Sequence, residues 1–343
     1  MHNDLLININ GYVLGLLEKI LDANVEIKGI ENLSLSNPKI FVANHFTRTE
    51  AMLVPYSLYN ITNKKVGVIA DDSLFKSFLG TFLTNLGAMK RSESNRNEHI
   101  IGDLMTSCKD WMIFPEGIMV KEKDISKMEK NFCVKIDGSC QRVHTGAAVF
   151  ALTSQLFRQK YFDKKLENYE EFNKKYFIDD CENINQNETM IVPINVSYTR
   201  LRNGENILLD MAKKLIDEIG DNFKEELEIE SNIVLNSKIT IRILEPISTK
   251  EILKYLYKQE LPTEKIINQL RYEITHQFMN KIYESITVNF DHIFILILFL
   301  YPKKSIDSNY FKQLIYLSIQ EIKKENLFFD EDMLKNLIQL VSY

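Results

Sequence analysis

A ten-residue stretch near the start of the chain decides the predicted fold: Phe41-Val42-Ala43-Asn44-His45-Phe46-Thr47-Arg48-Thr49-Glu50. It opens with an apolar run that continues from Lys39 and Ile40, which is typical of a buried strand. A strand that ends in polar residues commonly holds a reactive group at the edge of an α/β sheet. We therefore take His45 and Glu50 as the candidate reaction centre. We also predict a helix directly behind them, from Thr49 to Tyr59.

Outward from this stretch, short apolar or β-branched runs alternate with helical patterns, which predicts an α/β fold. The predicted strands are Val25 to Ile30, Lys39 to Ala43, Val66 to Ala70, Leu86 to Lys90, Trp111 to Phe114, Met190 to Tyr198 and Lys238 to Leu244. Helices are predicted at 95–109, from 146 onward, at 161–175 and throughout the chain after Pro246. The polar segment 121–142 has no clear period, and we interpret it as a surface loop. The fold class is a mixed central sheet flanked by helices.

The chain is predicted to have three parts: an N-terminal amphipathic helix at 1–24, an α/β domain at 25–250 and a C-terminal helical extension at 251–343. A length of 343 residues allows one main core with a smaller appendage. The first helix carries a wide apolar side, so it either packs on the domain or lies in a membrane interface. The stretch Ile293 to Leu300 is apolar all round but short, and we expect a buried helix there rather than membrane insertion.

Composition excludes several classes of partner and location. The formal net charge is -5 and the chain has no basic tract, which argues against nucleic acid. Four dispersed cysteines without zinc spacing predict free thiols in a reducing cytosol. They are Cys108, Cys133, Cys140 and Cys181. The sequence contains no apolar run of about 18 residues and no signal-peptide pattern, so we expect the protein on the cytosolic side of the membrane.

Three further blocks follow the histidine in chain order. The first is Gly87-Ala88-Met89-Lys90-Arg91, the second is Phe114-Pro115-Glu116-Gly117 and the third is Val192-Pro193-Ile194. Together with Asn44-His45-x4-Glu50, these blocks resemble, in this order, the glycerolipid acyltransferase superfamily. That superfamily is typified by 1-acylglycerol-3-phosphate acyltransferase and glycerol-3-phosphate acyltransferase. The resemblance covers residues 38 to 250.

The resemblance implies roles for the residues that match the motifs. The catalytic base of the family falls on His45, and Glu50 stands where the family usually has an aspartate. Arg91, with adjacent Lys90, would bind the phosphate of the acceptor, because a guanidinium fork suits phosphate oxygens. Glu116 would position the acceptor. Gly117 would allow the backbone to approach it closely.

The chain departs from the family pattern after the second of these blocks. Relatives commonly continue with Thr or Ser and then Arg, whereas this chain continues Ile118-Met119-Val120-Lys121. Lys121 is therefore the candidate to replace the lost basic contact. His144 lies where relatives often have a basic residue before a Gly-Ala helix. It either binds phosphate at the start of that helix or has a capping or packing role.

The chemistry suits these residue types. An imidazole with an ordinary pKa of about 6.5 removes a proton from a hydroxyl as that hydroxyl attacks a carbonyl. A carboxylate on the other ring nitrogen fixes the tautomer and stabilises the imidazolium. The resemblance implies fatty acyl transfer from acyl-CoA or acyl carrier protein to a hydroxyl of a glycerol phosphate lipid, without a metal or bound cofactor. It also implies a peripheral membrane protein on the cytoplasmic side.

Two alternatives remain open beside 1-acylglycerol-3-phosphate as the favoured acceptor. Glycerol-3-phosphate is the other acceptor, because Ser285-Ile286-Thr287-Val288-Asn289 before an apolar helix loosely resembles extensions of glycerol-3-phosphate acyltransferases. The second alternative is a non-catalytic, lipid-binding, membrane-associated protein. Glu50 and the altered residues after Gly117 motivate that interpretation.

Overall fold

The computed structural model describes most of the chain between residues 25 and 330. The described residues are 25–47, 50–70, 72, 75, 84, 87–119, 125–128, 131–136, 139–178, 183–199, 237–254, 256 and 261–330. The helix predicted at 1–24 lies outside them. The chain divides into two compact units, Met1–Val196 with Ile241–Ile282 and Ser197–Thr240 with Tyr283–Tyr343. The predicted domain boundaries stay predictions.

A mixed sheet of eight strands lies at the centre of the part that the structure describes. Its strands are β1 (Val25–Lys28), β2 (Lys39–Ala43), β3 (Val66–Ala70), β4 (Met89–Lys90), β5 (Asp110–Ile113), β9 (Met190–Thr199), β10 (Lys238–Ile243) and β11 (Ile247–Ser248). Their order is β1-β10-β9-β2-β5-β3-β4, and β11 pairs antiparallel with β9. The predicted strands and the α/β class are confirmed, except that β4 is shorter than predicted.

Strand β2 is central because it is apolar on both faces. Every one of its residues is buried, as is usual for a parallel strand covered on both sides. It pairs in parallel with β5 and β9, so that Val42 lies opposite Ile113 on one side and Pro193 on the other. Strand β3 is parallel to β5 and β4. The carboxyl ends of β2, β5, β3 and β4 therefore share one edge of the sheet.

Helices flank this sheet as predicted. They are α1 (Glu50–Thr62), α2 (Arg96–Thr106), α3 (Gly146–Phe162), α4 (Tyr169–Lys175), α5 (Thr249–Leu253) and α6 (Thr263–Glu284). The second unit contains α7 (Phe290–Leu300) and α8 (Ser308–Lys324). Helix α3 packs against β2 and α2. In α6, Ile274, Phe278 and Ile282 are buried. The mixed sheet flanked by helices is thus confirmed.

The prediction of a surface loop at 121–142 is wrong. Strands β6 (Ile125–Met128), β7 (Asn131–Ile136) and β8 (Ser139–Arg142) form a separate antiparallel sheet there. Three consecutive residues of β7, Phe132, Cys133 and Val134, are buried. Charged residues surround this short apolar run, so it is inconspicuous in the sequence.

The prediction of free thiols is also wrong. Cys133 and Cys140 are joined by a disulfide with an S–S distance of 2.01 Å, between neighbouring strands β7 and β8. Cys108 is disulfide-bonded as well. Cys133 and Cys140 are seven residues apart, and the hairpin of β7 and β8 that brings them together is not predicted from the sequence.

The amino edge of the central sheet is closed by a buried charge cluster. The Lys39 backbone N–H donates to Asp110 Oδ1 at 2.8 Å, and Lys64 Nζ donates to the same oxygen at 2.7 Å. Lys39 Nζ lies 3.4 Å from Asp110 Oδ2, and both side chains are almost fully buried. Burial lowers the pKa of Lys39, while Asp110 opposes that shift. This cluster ties the starts of β2 and β5 together.

The second unit contains helices α7 and α8, which share a small core. Its buried residues are Ile293, Ile297, Ile315, Ile319 and Ile322. The expectation that Ile293 to Leu300 is a buried helix is wrong, because only Ile293 and Ile297 of that stretch are buried. No helix of the described residues is long and apolar enough to cross a bilayer.

Candidate active site

The candidate site begins where β2 ends, at Asn44. The Asn44 side chain is buried and forms two hydrogen bonds with the neighbouring strand β9. Its Nδ2 donates to the Val196 carbonyl at 2.9 Å, and its Oδ1 accepts from the Val196 N–H at 2.8 Å. A side-chain amide is suited to this exchange because it is both donor and acceptor. Asn44 therefore fixes the backbone immediately before His45.

His45 and Glu50 are in contact, as the sequence predicts. His45 Nδ1 lies 3.2 Å from Glu50 Oε2, and the Glu50 side chain is fully buried. The same carboxylate oxygen accepts the backbone N–H of Phe46 at 2.7 Å. Since a carboxylate only accepts hydrogen bonds, the contact assigns the Nδ1 proton to the bond with Glu50 and leaves Nε2 as the basic nitrogen.

The longer side chain of glutamate is accommodated by the start of α1. Glu50 is the first residue of that helix, where a negative charge is favourable. From there its carboxylate reaches back over the turn to both the imidazole and the Phe46 N–H. Glu50 thus makes the contact that the family's aspartate is expected to make, despite the additional methylene group.

The second of the matched blocks, Phe114 to Gly117, supports His45 from strand β5. The His45 and Phe114 rings stack with centroids 4.3 Å apart and planes inclined by 25°. Glu116 is buried, and its Oε2 accepts the His45 backbone N–H at 2.8 Å. The sequence predicts that Glu116 positions the acceptor, which stays a prediction. The structure adds that Glu116 holds the backbone of the candidate base.

Gly117 and His144 lie against each other. Gly117 has a φ of 73°, a conformation that favours glycine. A Cβ at this position would lie 2.4 Å from both Cδ2 and Nε2 of the His144 ring. The His144 backbone N–H donates to the Pro115 carbonyl at 2.7 Å. The exposed His144 side chain therefore stands beside the Phe114-to-Gly117 turn and just before α3.

Lys90 and Arg91 lie at the far end of the same sheet edge. The Arg91 backbone is held on both sides: its N–H donates to the Ala70 carbonyl at 2.9 Å, and its carbonyl accepts from Arg96 Nη1 at 2.6 Å. The Arg91 and Lys90 side chains are exposed. Lys90 Nζ lies 5.8 Å from the centroid of the Phe75 ring. Both cations are thus presented at the carboxyl end of β4.

The structure brings together most, but not all, of the predicted site residues. His45, Glu50, Glu116, Gly117 and His144 form one cluster at the ends of β2 and β5. Three strand spacings separate β2 from β4, which corresponds to about 14 Å between their backbones. Lys90 and Arg91 therefore share the edge with this cluster without touching it. Lys121 lies outside the described residues.

The sequence did not identify the structural roles of Asn44 and Phe114. Each directly follows a buried strand, and that position is the one signal that marks them. Asn44 bonds across to Val196, and Phe114 orients the His45 ring. Both contacts depend on which strands are neighbours in the sheet, and neither can be deduced from spacing along the chain.

One protein family and one solved structure are similar to parts of this chain. Residues 24–158 match the family model described as Acyltransferase. Among solved structures, the chain is similar to the 1-acyl-sn-glycerophosphate (LPA) acyltransferase PlsC from Thermotoga maritima. The identity is 15% and the TM-score 0.36, over 77% of this chain and 80% of that one. That structural similarity is too weak to support an argument about substrate. No match was found among curated proteins.

The matched segment contains His45, Glu50, Arg91, Glu116 and His144 on one α/β scaffold, and the match to an acyltransferase family supports an O-acyltransferase. Residues 24–158 are thus similar to an acyltransferase domain, and their motifs resemble those of the glycerolipid acyltransferase superfamily.

Proposed function

We propose that the protein transfers a fatty acyl group from acyl-CoA or acyl carrier protein to a hydroxyl of a glycerol phosphate lipid in phospholipid biosynthesis. The proposed acceptor is 1-acylglycerol-3-phosphate. The observation that carries this proposal is the 3.2 Å contact between His45 Nδ1 and the buried Glu50 carboxylate at the carboxyl edge of the sheet. A histidine oriented in this way is equipped to accept a proton from a hydroxyl.

In the proposed reaction, the acceptor hydroxyl gives its proton to His45 Nε2 while its oxygen attacks the carbonyl carbon of the acyl thioester. The carbon–sulfur bond then breaks, and the thiolate leaves with the proton held on Nε2. The products are the ester and the free thiol of the acyl donor. The Glu50 carboxylate stabilises the imidazolium that forms between these two steps.

Binding of the acceptor is assigned to the rest of the sheet edge. Arg91, with Lys90 beside it, is proposed to bind the phosphate, since both cations are exposed and Arg91 has a fixed backbone. Glu116, Gly117 and His144 are proposed to contact the acceptor near the reacting hydroxyl. Lys121 stays a candidate for the same task.

We further propose that the protein works as a peripheral membrane protein on the cytoplasmic side. The proposed acceptor is a membrane lipid, and the sequence pattern in residues 1–24 is compatible with an interfacial helix. The described residues contain no membrane-spanning helix.

Incubation of the purified protein with labelled acyl-CoA or acyl carrier protein tests the proposal. The acceptors offered are 1-acylglycerol-3-phosphate, glycerol-3-phosphate and monoacylglycerol. We expect phosphatidate from the first acceptor and little product from monoacylglycerol, which lacks phosphate. Labelled lysophosphatidate from glycerol-3-phosphate would favour the alternative acceptor. No product with any acceptor, from a folded protein, would favour the non-catalytic alternative.

A further inference from the structure

Helix α7 exposes an unusual amount of apolar surface. Between Ile293 and Leu300 the helix has no polar residue, yet only Ile293 and Ile297 are buried. The exposed fractions of the other side chains are 38% for Phe294, 63% for Ile295, 55% for Leu296, 47% for Leu298, 84% for Phe299 and 68% for Leu300. Contiguous apolar patches of this kind commonly mark an interaction site.

The width of this apolar surface restricts what can cover it. At 3.6 residues per turn, the six exposed side chains spread over about 240° of the helix circumference. A partner helix or groove typically meets an apolar stripe of about 100°. A helix that is apolar all round belongs in the core of a large protein or in lipid. Helix α7 packs on one side only, so a surrounding apolar phase fits it better than a single docking partner.

Neighbouring helix α8 shows the contrasting, ordinary pattern. Its buried side consists of Ile315, Ile319 and Ile322. Its outer side carries polar residues such as Gln313 and Gln320, which are exposed. Leu317 is exposed as well, at 60%, but stands apart from the α7 residues in sequence and lies on this more polar helix. Apolar exposure is therefore concentrated on α7 within this helix pair.

The residues after α7 add charge of the appropriate sign for an anionic lipid surface. The helix ends at Leu300, and Tyr301-Pro302-Lys303-Lys304 follows, with both lysines exposed. The Tyr301 and Tyr310 rings lie 6.2 Å apart at this end. Aromatic rings and lysines beside an apolar helix are typical of segments at the membrane–water interface. The nearby Asp307 carboxylate is bonded to the N–H groups of Asn309 and Tyr310.

We propose that α7, with Lys303 and Lys304, is a membrane-docking surface that inserts into the interfacial layer of an anionic bilayer. The helix is 11 residues long. It measures about 16 Å, half the thickness of the hydrocarbon core, so it lies in the interface and does not span. The choice of a lipid partner rests on the proposed function, because the acceptor would be a membrane lipid. The surface itself is independent of the catalytic cluster.

The test measures binding of the full chain to vesicles of phosphatidylcholine, with or without phosphatidylglycerol, by co-sedimentation. We expect the double variant I295S/F299S to lower the partition coefficient about tenfold or more. The matched control L317S, which removes an exposed leucine from α8, should change it less than about twofold. K303E/K304E should weaken binding chiefly to the vesicles that contain phosphatidylglycerol.

Two further measurements keep the proposal testable if I295S/F299S folds poorly. The conservative variant F299W should give a blue-shifted tryptophan emission on vesicles, and brominated lipids should quench it, whereas native Trp111 is buried. Equal vesicle binding by the wild type and I295S/F299S would overturn the proposal. A wild-type dimer that I295S/F299S converts to a monomer, without a change in vesicle binding, would assign the surface to a second copy of the chain.

The acyl-transfer assay separates this inference from the proposed function. With acceptor dispersed below its micellar concentration and no vesicles, I295S/F299S should keep the wild-type rate. H45A should lose acyl transfer yet still bind vesicles. Inactive wild-type protein that binds vesicles through α7 would refute the enzyme mechanism alone. Active protein whose binding to vesicles does not depend on α7 would refute the docking surface alone.

Discussion

At each end of strand β2, a backbone N–H donates a hydrogen bond to a buried carboxylate, but the two ends serve different purposes. At the amino end, the Lys39 N–H donates to an Asp110 carboxylate oxygen at 2.8 Å. At the carboxyl end, the His45 N–H donates to a Glu116 carboxylate oxygen at 2.8 Å. Both carboxylates flank strand β5 and both are buried. A buried acid on β5 thus fixes each end of the central strand.

The difference lies in what else each cluster contains. The amino cluster pairs Asp110 with two lysines, of which Lys39 is almost fully buried and Lys64 is 16% exposed, and it contains no imidazole. The carboxyl cluster adds an imidazole on a second buried acid, and His45 keeps 16% of its side-chain surface exposed. A structural charge cluster and a reactive one therefore differ less in burial than in the presence of an accessible, oriented base.

The largest expected effect comes from removing that base. In H45A, we expect kcat to fall by about 10²- to 10⁴-fold, because the hydroxyl loses its proton acceptor. The thermal transition should stay close to that of the wild type. The control is H99A, since His99 also stacks on a phenylalanine ring, with centroids 3.7 Å apart, but lies in α2 away from the cluster. Steady-state assays of acyl transfer give kcat for H45A and H99A. A folded H45A that retains full turnover would remove His45 as the base.

Substitutions in the amino cluster should lower the free energy of unfolding and leave the chemistry of acyl transfer unchanged. D110A leaves the Lys39 ammonium buried without its partner, and breaking a buried ion pair of this kind costs about 3–5 kcal/mol. Chemical denaturation measures the loss in the free energy of unfolding. K65A, at an exposed lysine on the same edge, should stay within about 0.5 kcal/mol of the wild type. If D110A were as stable as K65A, the amino cluster would not hold the strand ends.

Replacing each of the two buried glutamates of the carboxyl cluster with glutamine should distinguish their roles. E50Q keeps an oxygen for the Phe46 N–H but loses the charge that stabilises the imidazolium, so we expect kcat to fall about 10- to 100-fold. E116Q keeps an acceptor for the His45 N–H, and we expect a loss below about fivefold if holding that backbone is its main task. A loss in E116Q as large as that in E50Q would assign Glu116 a direct role at the acceptor.

The sequence predicted the candidate base better than its surroundings, for a physical reason. A parallel strand buried on both faces leaves a continuous apolar run, and the polar residues after it are conspicuous, so β2 and His45 were found. Asn44, Phe114 and the Glu116 contact depend on which strands are neighbours. The exposure of α7 was missed because an apolar stretch of eight residues looks the same whether protein or lipid covers it. Strands β6 to β8 are not predicted because their apolar residues form only short runs among charged and polar residues.

The substitution farthest along the edge, at Arg91, should affect acceptor binding and leave turnover nearly unchanged. R91A should raise the KM for the acceptor about tenfold, the effect of one charge-assisted phosphate contact, with little change in kcat or in the KM for the acyl donor. R91K should recover part of the loss, because an ammonium retains the charge but not the fork geometry. K174A, at an exposed lysine of α4, controls for the change in net charge. Equal increases in both KM values would instead indicate that Arg91 contacts the acyl donor, and would limit the acceptor site to the cluster around His45.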